Sequence, residues 1–311
     1  MRLCPKETQQ TSISLDTNTR QAAGNLGPSV LNVFLQSSLN VTVLSREGST
    51  SKFPSGVKVN YADYASIDSL TTAFKGQDAV VSLVGNTGFS AQQKLIDAAI
   101  AAGVKRFLPS EFGSNTQDER VLAEVPIFQP KVDTVKYLKT KEAEISWSSV
   151  ITGPFFDWGL KVGFLGLDSS TKTATLIDDG KATFSSTNLR QIGLAVVRVL
   201  ENPDLTKNQY VFVSSFETSQ KELLEVAEKV TGEKWKVENV SGKGLLESGG
   251  AKLQKGDFSG VGDLIKGSAF GKAGLGNLKP EGLWNEKLGL PKEDLEESVK
   301  AALAGKLVGE E

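Results

Sequence analysis

The sequence predicts an α/β fold in which a doubly wound parallel sheet is followed by a smaller α+β region. In the first half of the chain, apolar runs rich in β-branched residues alternate with segments of helical periodicity. The run at 79–84 is apolar except for Ser82, as expected for a strand buried on both faces. After Gly153 the alternation weakens and the chain becomes rich in aromatic residues and glycine, which predicts a second region.

The alternation assigns most of the chain to individual elements. Ser66 is predicted to cap the helix at 67–74, and Gly103 to end the helix at 90–103. The predicted strands are 41–45, 57–61, 79–84, 105–110, 146–152, 174–179, 182–186 and 209–215. The other predicted helices are 131–143, which Pro130 can start, 188–202, 219–232 and 292–306. No element is assigned in 241–285, which is rich in glycine and lysine.

These elements suggest two domains. We expect a sheet domain at 1–152, to which 188–216 returns, and a substrate-binding region at 153–311. The sequence leaves the oligomeric state open.

Composition excludes several classes of function. Lys plus Arg is 35 and Asp plus Glu is 37, a net charge of −2, so no nucleic-acid partner is expected. Histidine is absent, which excludes histidine-based triads and metal sites, and no metal site is predicted. Cys4 is the single cysteine, which favours a reducing, cytoplasmic location. No apolar run approaches the ~20 residues of a membrane span, and Arg2 is not followed by the apolar core of a secretory signal.

The stretch Gly24, Asn25, Leu26 and Gly27 is a candidate phosphate-binding turn, because it precedes a predicted helix at the front of a βα series. In such a turn the backbone N–H groups and the helix N-terminus attract a pyrophosphate. Pro28 suits the first helical position. The alternative is a purely structural glycine turn.

Three further residues follow predicted strands where a dinucleotide would lie. Arg46 ends the second strand, where an arginine accommodates the 2′-phosphate of NADP. Gly85 ends the fourth strand and would permit close approach of the nicotinamide half. Asp63 is either an acceptor at the adenine edge or a helix cap. The alternative for Arg46 is a place in a solvated loop, and the alternative for Gly85 is a turn that merely needs glycine.

Lys131 is the candidate for proton transfer, since it begins a helix next to the carboxyl rim of the sheet. The alternative is a surface lysine, which is the common case. Tyr137 and Lys141 have the spacing of a dehydrogenase Tyr–Lys pair, but at 100° per residue Tyr137 points about 240° away from Lys131. We therefore expect Tyr137 to pack against the sheet.

Four aromatic residues are candidates for holding a flat substrate. Phe112 follows the strand at 105–110, whereas Phe155, Phe156 and Trp158 follow the strand at 146–152. They could form an apolar wall, or they could belong to the core.

Several stretches together resemble the isoflavone-reductase-like branch of the NmrA-like family, among the atypical short-chain dehydrogenase/reductases. They are GNLGPS, VLSRE, VVSLVG, AQQKLIDAAIAAGVKRFLPSEFG, FQPK and SSVITGPFFDWG, and the resemblance runs from about Gly24 into the C-terminal third. It implies a Rossmann domain that binds NADP(H), and reduction of a small aromatic, phenylpropanoid-like compound. The family's phosphate-loop glycines fall on Gly24 and Gly27, its 2′-phosphate arginine on Arg46 and its catalytic lysine on Lys131.

The N-terminus departs from this family. Gln21 stands where the first loop glycine belongs, and the polar run at 16–20 stands where the first strand belongs. The first strand is therefore predicted to be atypical or missing, with 11–15 as a poor substitute. Residues 1–23 are predicted to be a segment with which this fold did not evolve. This leaves two alternatives to a reductase: a non-catalytic NAD(P)-binding regulatory sensor, as some NmrA-like proteins are, and an inactive copy with a damaged N-terminus.

Overall fold

The computed structural model describes residues 10–15 and 25–308. The chain forms two compact units, each built from three segments. The first unit comprises Met1–Ser110, Pro130–Ser149 and Val196–Tyr210, and the second unit comprises Glu111–Gln129, Val150–Ala195 and Val211–Glu311. The assignment of a cofactor domain and a substrate domain stays a prediction. In the part of the chain described, none of the helices is long and apolar enough to cross a membrane.

The strands follow the sequence-based assignment closely through the first half of the chain. They are β1 Gln10–Leu15, β2 Asn40–Arg46, β3 Lys58–Ala62, β4 Ala79–Leu83, β5 Arg106–Leu108, β6 Ser146–Ile151, β7 Leu167–Asp168, β8 Thr173–Ile177, β9 Phe184–Ser186, β10 Gln209–Phe212, β11 Phe216–Thr218 and β12 Lys236–Val240.

The helices also follow it, except for the short helices Glu119–Glu124 and Phe156–Lys161, which were not predicted, and the region that the sequence left unassigned. They are α1 Gly27–Leu35, α2 Ile67–Phe74, α3 Gln92–Ala101, α4 Glu119–Glu124, α5 Gln129–Thr140, α6 Phe156–Lys161, α7 Leu189–Glu201, α8 Gln220–Thr231, α9 Gly242–Gln254, α10 Gly260–Phe270 and α11 Leu295–Leu303. Short 3₁₀ helices cover Asn86–Ala91, Pro126–Phe128 and Lys279–Glu281.

Seven strands form one sheet in the order β10-β6-β5-β4-β1-β2-β3. The pairs β1–β2, β1–β4, β2–β3, β4–β5 and β5–β6 are all parallel. Consecutive parallel strands joined by helices confirm the doubly wound α/β class. The edge strand β10, which is the last of the seven in the chain, brings 209–212 back to this sheet.

The first strand is present and central, and it is formed by the predicted substitute 11–15, so it is atypical in sequence rather than missing. Residues 10–15 lie between β2 and β4, and Thr11 is in register with Val41 on one side and Ala79 on the other. A parallel ladder is made by backbone groups, so a run with polar side chains can complete it. The predicted first-glycine position Gln21, the run 16–20 and Gly24 lie outside the described residues.

One face of the sheet is covered by α2, α3 and α5 in the first unit. Ser66 caps α2 by accepting the Ser69 N–H at 3.2 Å, and Gly103 follows α3 with a φ of 81°, both as predicted. Between these helices and the strands lies a core cluster that includes Leu70, Phe74, Leu95, Phe107, Leu138 and Trp147.

The second unit has its own small sheets and its own core. β9 and β11 pair antiparallel, and β8 pairs in parallel with β12 and antiparallel with β7. α8 and α11 pack over a cluster that includes Phe156, Leu160, Phe184, Leu223 and Val299. The α+β character predicted for the C-terminal part is therefore present.

The unassigned stretch contains a helical hairpin, α9 and α10. Its helices approach closely at glycines: a Cβ on Gly249 would lie 2.7 Å from the Gly260 carbonyl oxygen, and a Cβ on Gly260 would lie 2.4 Å from the Gly249 carbonyl oxygen. Glycine lowers helix propensity, so the sequence alone argued against helices here. Tertiary contact between the two helices requires those same glycines.

Candidate functional site

The candidate site in the first unit lies at the carboxyl ends of the parallel strands, where open α/β sheets bind ligands. We call this region the sheet edge and define it by Gly27, Arg46, Gly85 and Ser110. Arg46 is the last residue of β2, Gly85 follows β4, and Ser110 follows β5. Gly27 is the first residue of α1.

Lys131 is buried at the sheet edge, with a relative exposure of 5%. Its Nζ lies 5.1 Å from the ring centroid of Phe89, a buried residue of the 3₁₀ helix that follows β4. An aromatic face attracts an ammonium group at this distance. Lysines are rarely buried without a specific reason, so this placement separates Lys131 from an ordinary surface lysine.

A fully buried glutamine holds the surroundings of Lys131 together. The Gln92 Oε1 accepts the backbone N–H of Ser110 at 2.7 Å, and its Nε2 donates to the Thr134 Oγ1 at 3.4 Å, one turn from Lys131 on α5. The Ser110 hydroxyl donates to the Val84 carbonyl at 2.7 Å. Hydrogen bonds thus join the ends of β4 and β5 to α5.

Sequence analysis missed Gln92 and Phe89. A detectable signal existed for Gln92, because it occupies the apolar stripe of α3 with Leu95, Ile96 and Ala99, where a polar residue is out of pattern. No signal in the sequence marked Phe89, whose place depends on the path of the 3₁₀ helix.

The start of α1 has the features of an anion site. Leu26 is the N-cap residue and no side chain caps the helix, while Gly27 is buried and Asn25 is exposed. The first-turn N–H groups of a helix without a side-chain cap are available to an anion. Gly24, the other predicted glycine of this turn, lies outside the described residues.

β2 ends in a cation, Arg46, and the exposed acid Glu47 follows it. Arg46 is half-buried, and its carbonyl accepts the Ser49 N–H at 3.1 Å, which closes a turn through exposed Glu47 and Gly48. The donor set therefore suits a 2′-phosphate better than a free 2′-hydroxyl.

Asp63 and Gly85 occupy exposed positions after β3 and β4. The Asp63 Oδ1 accepts the Ala65 N–H at 2.8 Å, so the side chain helps to form the turn that precedes α2. Gly85 has an extended backbone with a φ of −80°, which other residues can also adopt. Close approach of a ligand, rather than backbone conformation, is therefore the reason to expect glycine at this position.

Tyr137 packs as predicted and has the wrong chemistry for a catalytic base. Its hydroxyl donates to the Asp97 carboxylate, and this hydrogen bond, with burial, raises the pKa of Tyr137 to about 12. Lys141 lies 5.7 Å from the Tyr137 ring and pairs with Glu144 at 3.2 Å. The pair is therefore structural.

In the second unit, three half-buried rings form what we call the aromatic face: Phe155, Trp158 and Phe164. The ring centroids of Phe155 and Trp158 are 6.4 Å apart, and those of Trp158 and Phe164 are 6.2 Å apart. Phe164 was not predicted.

The other two predicted aromatic residues are buried. Phe156 is fully buried, with its centroid 4.6 Å from that of Phe216, so it packs in the core rather than lining a surface. Phe112 is 8% exposed and follows the fully buried Glu111, whose Oε2 accepts the Thr116 hydroxyl at 2.6 Å.

Asp157 orients the helix that carries Trp158. Its buried carboxylate accepts the backbone N–H groups of Trp158 at 2.9 Å, Leu189 at 3.1 Å and Val308 at 3.0 Å. Burial raises the pKa of Asp157, although the hydrogen bonds from these N–H groups oppose the shift. The carboxylate ties α6, the start of α7 and the C-terminal segment to one another.

A family model described as the NmrA-like family matches residues 20–252. The chain belongs to the NmrA-like family. This NmrA-like protein is 34% identical over 290 residues to the oxidoreductase aprR of Aspergillus flavus, a match that covers 91% of this chain and 97% of aprR. Isoflavone reductase homolog P3 of Arabidopsis thaliana is 32% identical over 200 residues, which are 62% of this chain and 64% of that protein. The resemblance to the isoflavone-reductase-like branch is confirmed, and the protein is an oxidoreductase of this family.

Solved structures share the fold. Leucoanthocyanidin reductase from Vitis vinifera, in a binary complex with NADPH, matches with a TM-score of 0.77 at 21% identity, covering 95% of this chain and 99% of that one. AtPrR2 with NADP+ and (+)pinoresinol matches with a TM-score of 0.74 at 20% identity, covering 94% of this chain and 98% of that one. The Rossmann-type fold is confirmed, and a nicotinamide cofactor accompanies it in these neighbours.

Proposed function

We propose that this NmrA-like protein is an NADPH-dependent reductase of a small aromatic compound of the isoflavone or phenylpropanoid type. The observation that carries the proposal is the burial of Lys131 at the sheet edge. A regulatory sensor that only binds a dinucleotide has no need of a buried lysine there. A cytoplasmic location, expected from the single cysteine, belongs to the same proposal.

The residues of the sheet edge fit NADP(H). The uncapped start of α1, with Asn25, Leu26 and Gly27, suits the pyrophosphate, and Gly24 completes this turn in the proposal. Arg46 would pair with the 2′-phosphate, Asp63 would accept at the adenine edge, and Gly85 would leave room for the nicotinamide half. NADPH, when bound, supplies the hydride that reduces an electron-poor carbon of the substrate.

Lys131 would hold or deliver a proton at its Nζ. The Phe89 ring and the hydrogen bonds of Gln92 hold it in place, so its position does not depend on the substrate. Phe155 and Trp158 would contact the aromatic ring of the substrate, with Phe112 as a further apolar contact. Phe156 packs in the core of the second unit and is not assigned a substrate contact.

The test is a calorimetric titration of the full chain with NADPH and with NADH, followed by NADPH oxidation over a panel of aromatic substrates. We expect NADPH to bind at least about tenfold more tightly than NADH, since charge-assisted hydrogen bonds to a phosphate contribute roughly 1.5–3 kcal/mol. Binding of NADPH without oxidation on any substrate would favour the sensor. Failure of NADPH to bind would favour the inactive copy.

A further inference from the structure

One lysine of the second unit differs from the other lysines with similar burial. Among the residues described, four lysines are half-buried: Lys141, Lys172, Lys252 and Lys266. The first three each have a carboxylate partner, respectively Glu144 at 3.2 Å, Glu233 at 3.3 Å and Asp263 at 2.6 Å. Lys266 makes no ion pair within residues 10–15 and 25–308.

The lack of a carboxylate partner in the described residues affects how the charge of Lys266 is stabilised. A partly desolvated ammonium group loses hydration, and a nearby carboxylate normally compensates for that loss. Exposed lysines over aromatic rings, such as Lys139 and Lys287, keep their water and need no partner. Lys266 is half-buried and has no carboxylate partner among the described residues, and Asp263 of the same helix pairs with Lys252.

The surroundings of Lys266 are aromatic. Its Nζ lies 5.2 Å from the ring centroid of Phe164, at one end of the aromatic face. Phe164 in turn lies next to Trp158 and, at 6.2 Å between centroids, next to Phe270. The rings attract the cation but cannot neutralise it.

We propose that Lys266 and the aromatic face form a subsite for an aromatic substrate that carries a carboxylate. This rests on the proposed function and adds a substrate class to it. The ring of the ligand packs on Trp158 and Phe164, and its carboxylate accepts a hydrogen bond from the Lys266 Nζ. A single ammonium group balances the one negative charge of a carboxylate, whereas a phosphate monoester carries about two negative charges.

Two ligands of matched shape test the subsite: 4-hydroxycinnamate and 4-hydroxycinnamyl alcohol, titrated calorimetrically into the full chain without cofactor. We expect the carboxylate to bind about tenfold more tightly than the alcohol. Lys266→Met, which keeps the length of the side chain, should abolish that preference by weakening only the carboxylate. Lys255→Met, at an exposed lysine that follows α9, should leave both ligands unchanged.

A second measurement needs no variant. The affinity of the wild-type protein for 4-hydroxycinnamate should fall as ionic strength rises, while that for the alcohol stays constant. Equal affinity for the two ligands, no binding of the carboxylate, or an equal loss of both in Lys266→Met would overturn the subsite. NADPH-dependent reduction of neutral aromatic compounds alone would support the reductase and reject the subsite. If the carboxylate binds in a Lys266-dependent way but the protein oxidises no NADPH, the subsite is supported and the reductase is rejected.

Discussion

The sheet edge of the first unit and the aromatic face of the second unit are built by opposite means. At the sheet edge, directional hydrogen bonds from Gln92 and Ser110 fix strand ends and helix around Lys131. The aromatic face consists of half-buried rings, edge to face at Phe155 and Trp158 and tilted at Trp158 and Phe164, with Lys266 at one end. Hydrogen bonds specify one geometry, whereas ring contacts tolerate ligands of several shapes. The two regions therefore suit different proposed roles: a fixed proton-transfer group at the sheet edge of the first unit, and adaptable ring binding at the aromatic face of the second unit.

The largest expected effect is at the sheet edge. Lys131→Ala should lower kcat by about 10²–10⁴ because general acid–base groups contribute that much. Titration with NADPH should still show near-normal affinity. Lys136→Ala, at an exposed lysine of the same helix, is the control and should keep full turnover. Unchanged kcat in Lys131→Ala would remove this residue from the reaction and with it the contrast between the two regions.

The next effect concerns the cofactor. Arg46→Ala should weaken NADPH about 10–100-fold, as expected for losing charge-assisted hydrogen bonds to a phosphate. The affinity for NADH, which has no 2′-phosphate, should change little, so the ratio of the two dissociation constants is the readout. A parallel loss for both cofactors would show that Arg46 supports the loop instead of reading the phosphate.

In the hairpin that carries Lys266, alanine substitutions at two adjacent glycines, Gly249 and Gly250, should have opposite effects on stability. Gly249→Ala would place a Cβ 2.7 Å from the Gly260 carbonyl oxygen, and we expect the free energy of unfolding to fall by about 1–3 kcal/mol. Gly250→Ala meets nothing within 4 Å. It should raise stability by about 0.5–1 kcal/mol, because alanine favours the helix. Denaturant unfolding measures both, and similar effects in the two variants would contradict the close helix contact.

Variants of the adjacent residues Gln92 and Gln93 distinguish an effect on the position of Lys131 from an effect on stability. Gln92→Leu leaves the Ser110 N–H without its acceptor, which costs about 1–3 kcal/mol, and should lower kcat about tenfold while the KM for NADPH stays near normal. Gln93→Leu, at the exposed neighbour, should change neither constant. A loss of thermal stability in Gln92→Leu with normal kcat would assign Gln92 to the core alone.

The smallest effect is a pH dependence in the second unit. Burial raises the pKa of Glu293, despite hydrogen bonds from Ser215 and Asn188. The folded protein therefore binds this proton more readily than the unfolded chain, and stability falls as pH rises between the two pKa values. In Glu293→Gln this fall is absent, so the stability of the variant relative to wild type should increase from pH 4 to pH 8.

At Glu228 the dependence of stability on pH has the opposite sign. Its hydrogen bonds with Lys234 and the Trp235 N–H lower its pKa, so its contribution is present above the unfolded pKa and is lost as pH falls. Glu228→Gln should therefore lose stability relative to wild type as pH rises over the same range. Thermal unfolding of both variants across pH 4–8 is the measurement, and slopes of the same sign would contradict these assignments.

Much of the first half of the chain could be predicted from local pattern. The run at 79–84, apolar except for Ser82, predicted β4, and α2 begins and ends where its cap and periodicity indicated. Arg46 and Lys131 could be proposed as site residues from their positions relative to strand ends, and their roles stay predictions. The hairpin of α9 and α10 could not be predicted, since glycine reads as a breaker until a second helix lies against it.

The sequence by itself determined the α/β class, the order of most elements and the residues that stand at strand ends, because periodicity and caps act over a few neighbouring residues. Only the tertiary structure decided which side chains are buried and what they contact: Gln92 against Ser110, Phe156 in the core, and Lys266 without a carboxylate partner in the part of the chain described. It also placed 10–15 between β2 and β4. Those outcomes depend on contacts between segments far apart in the chain, and no local pattern encodes such contacts.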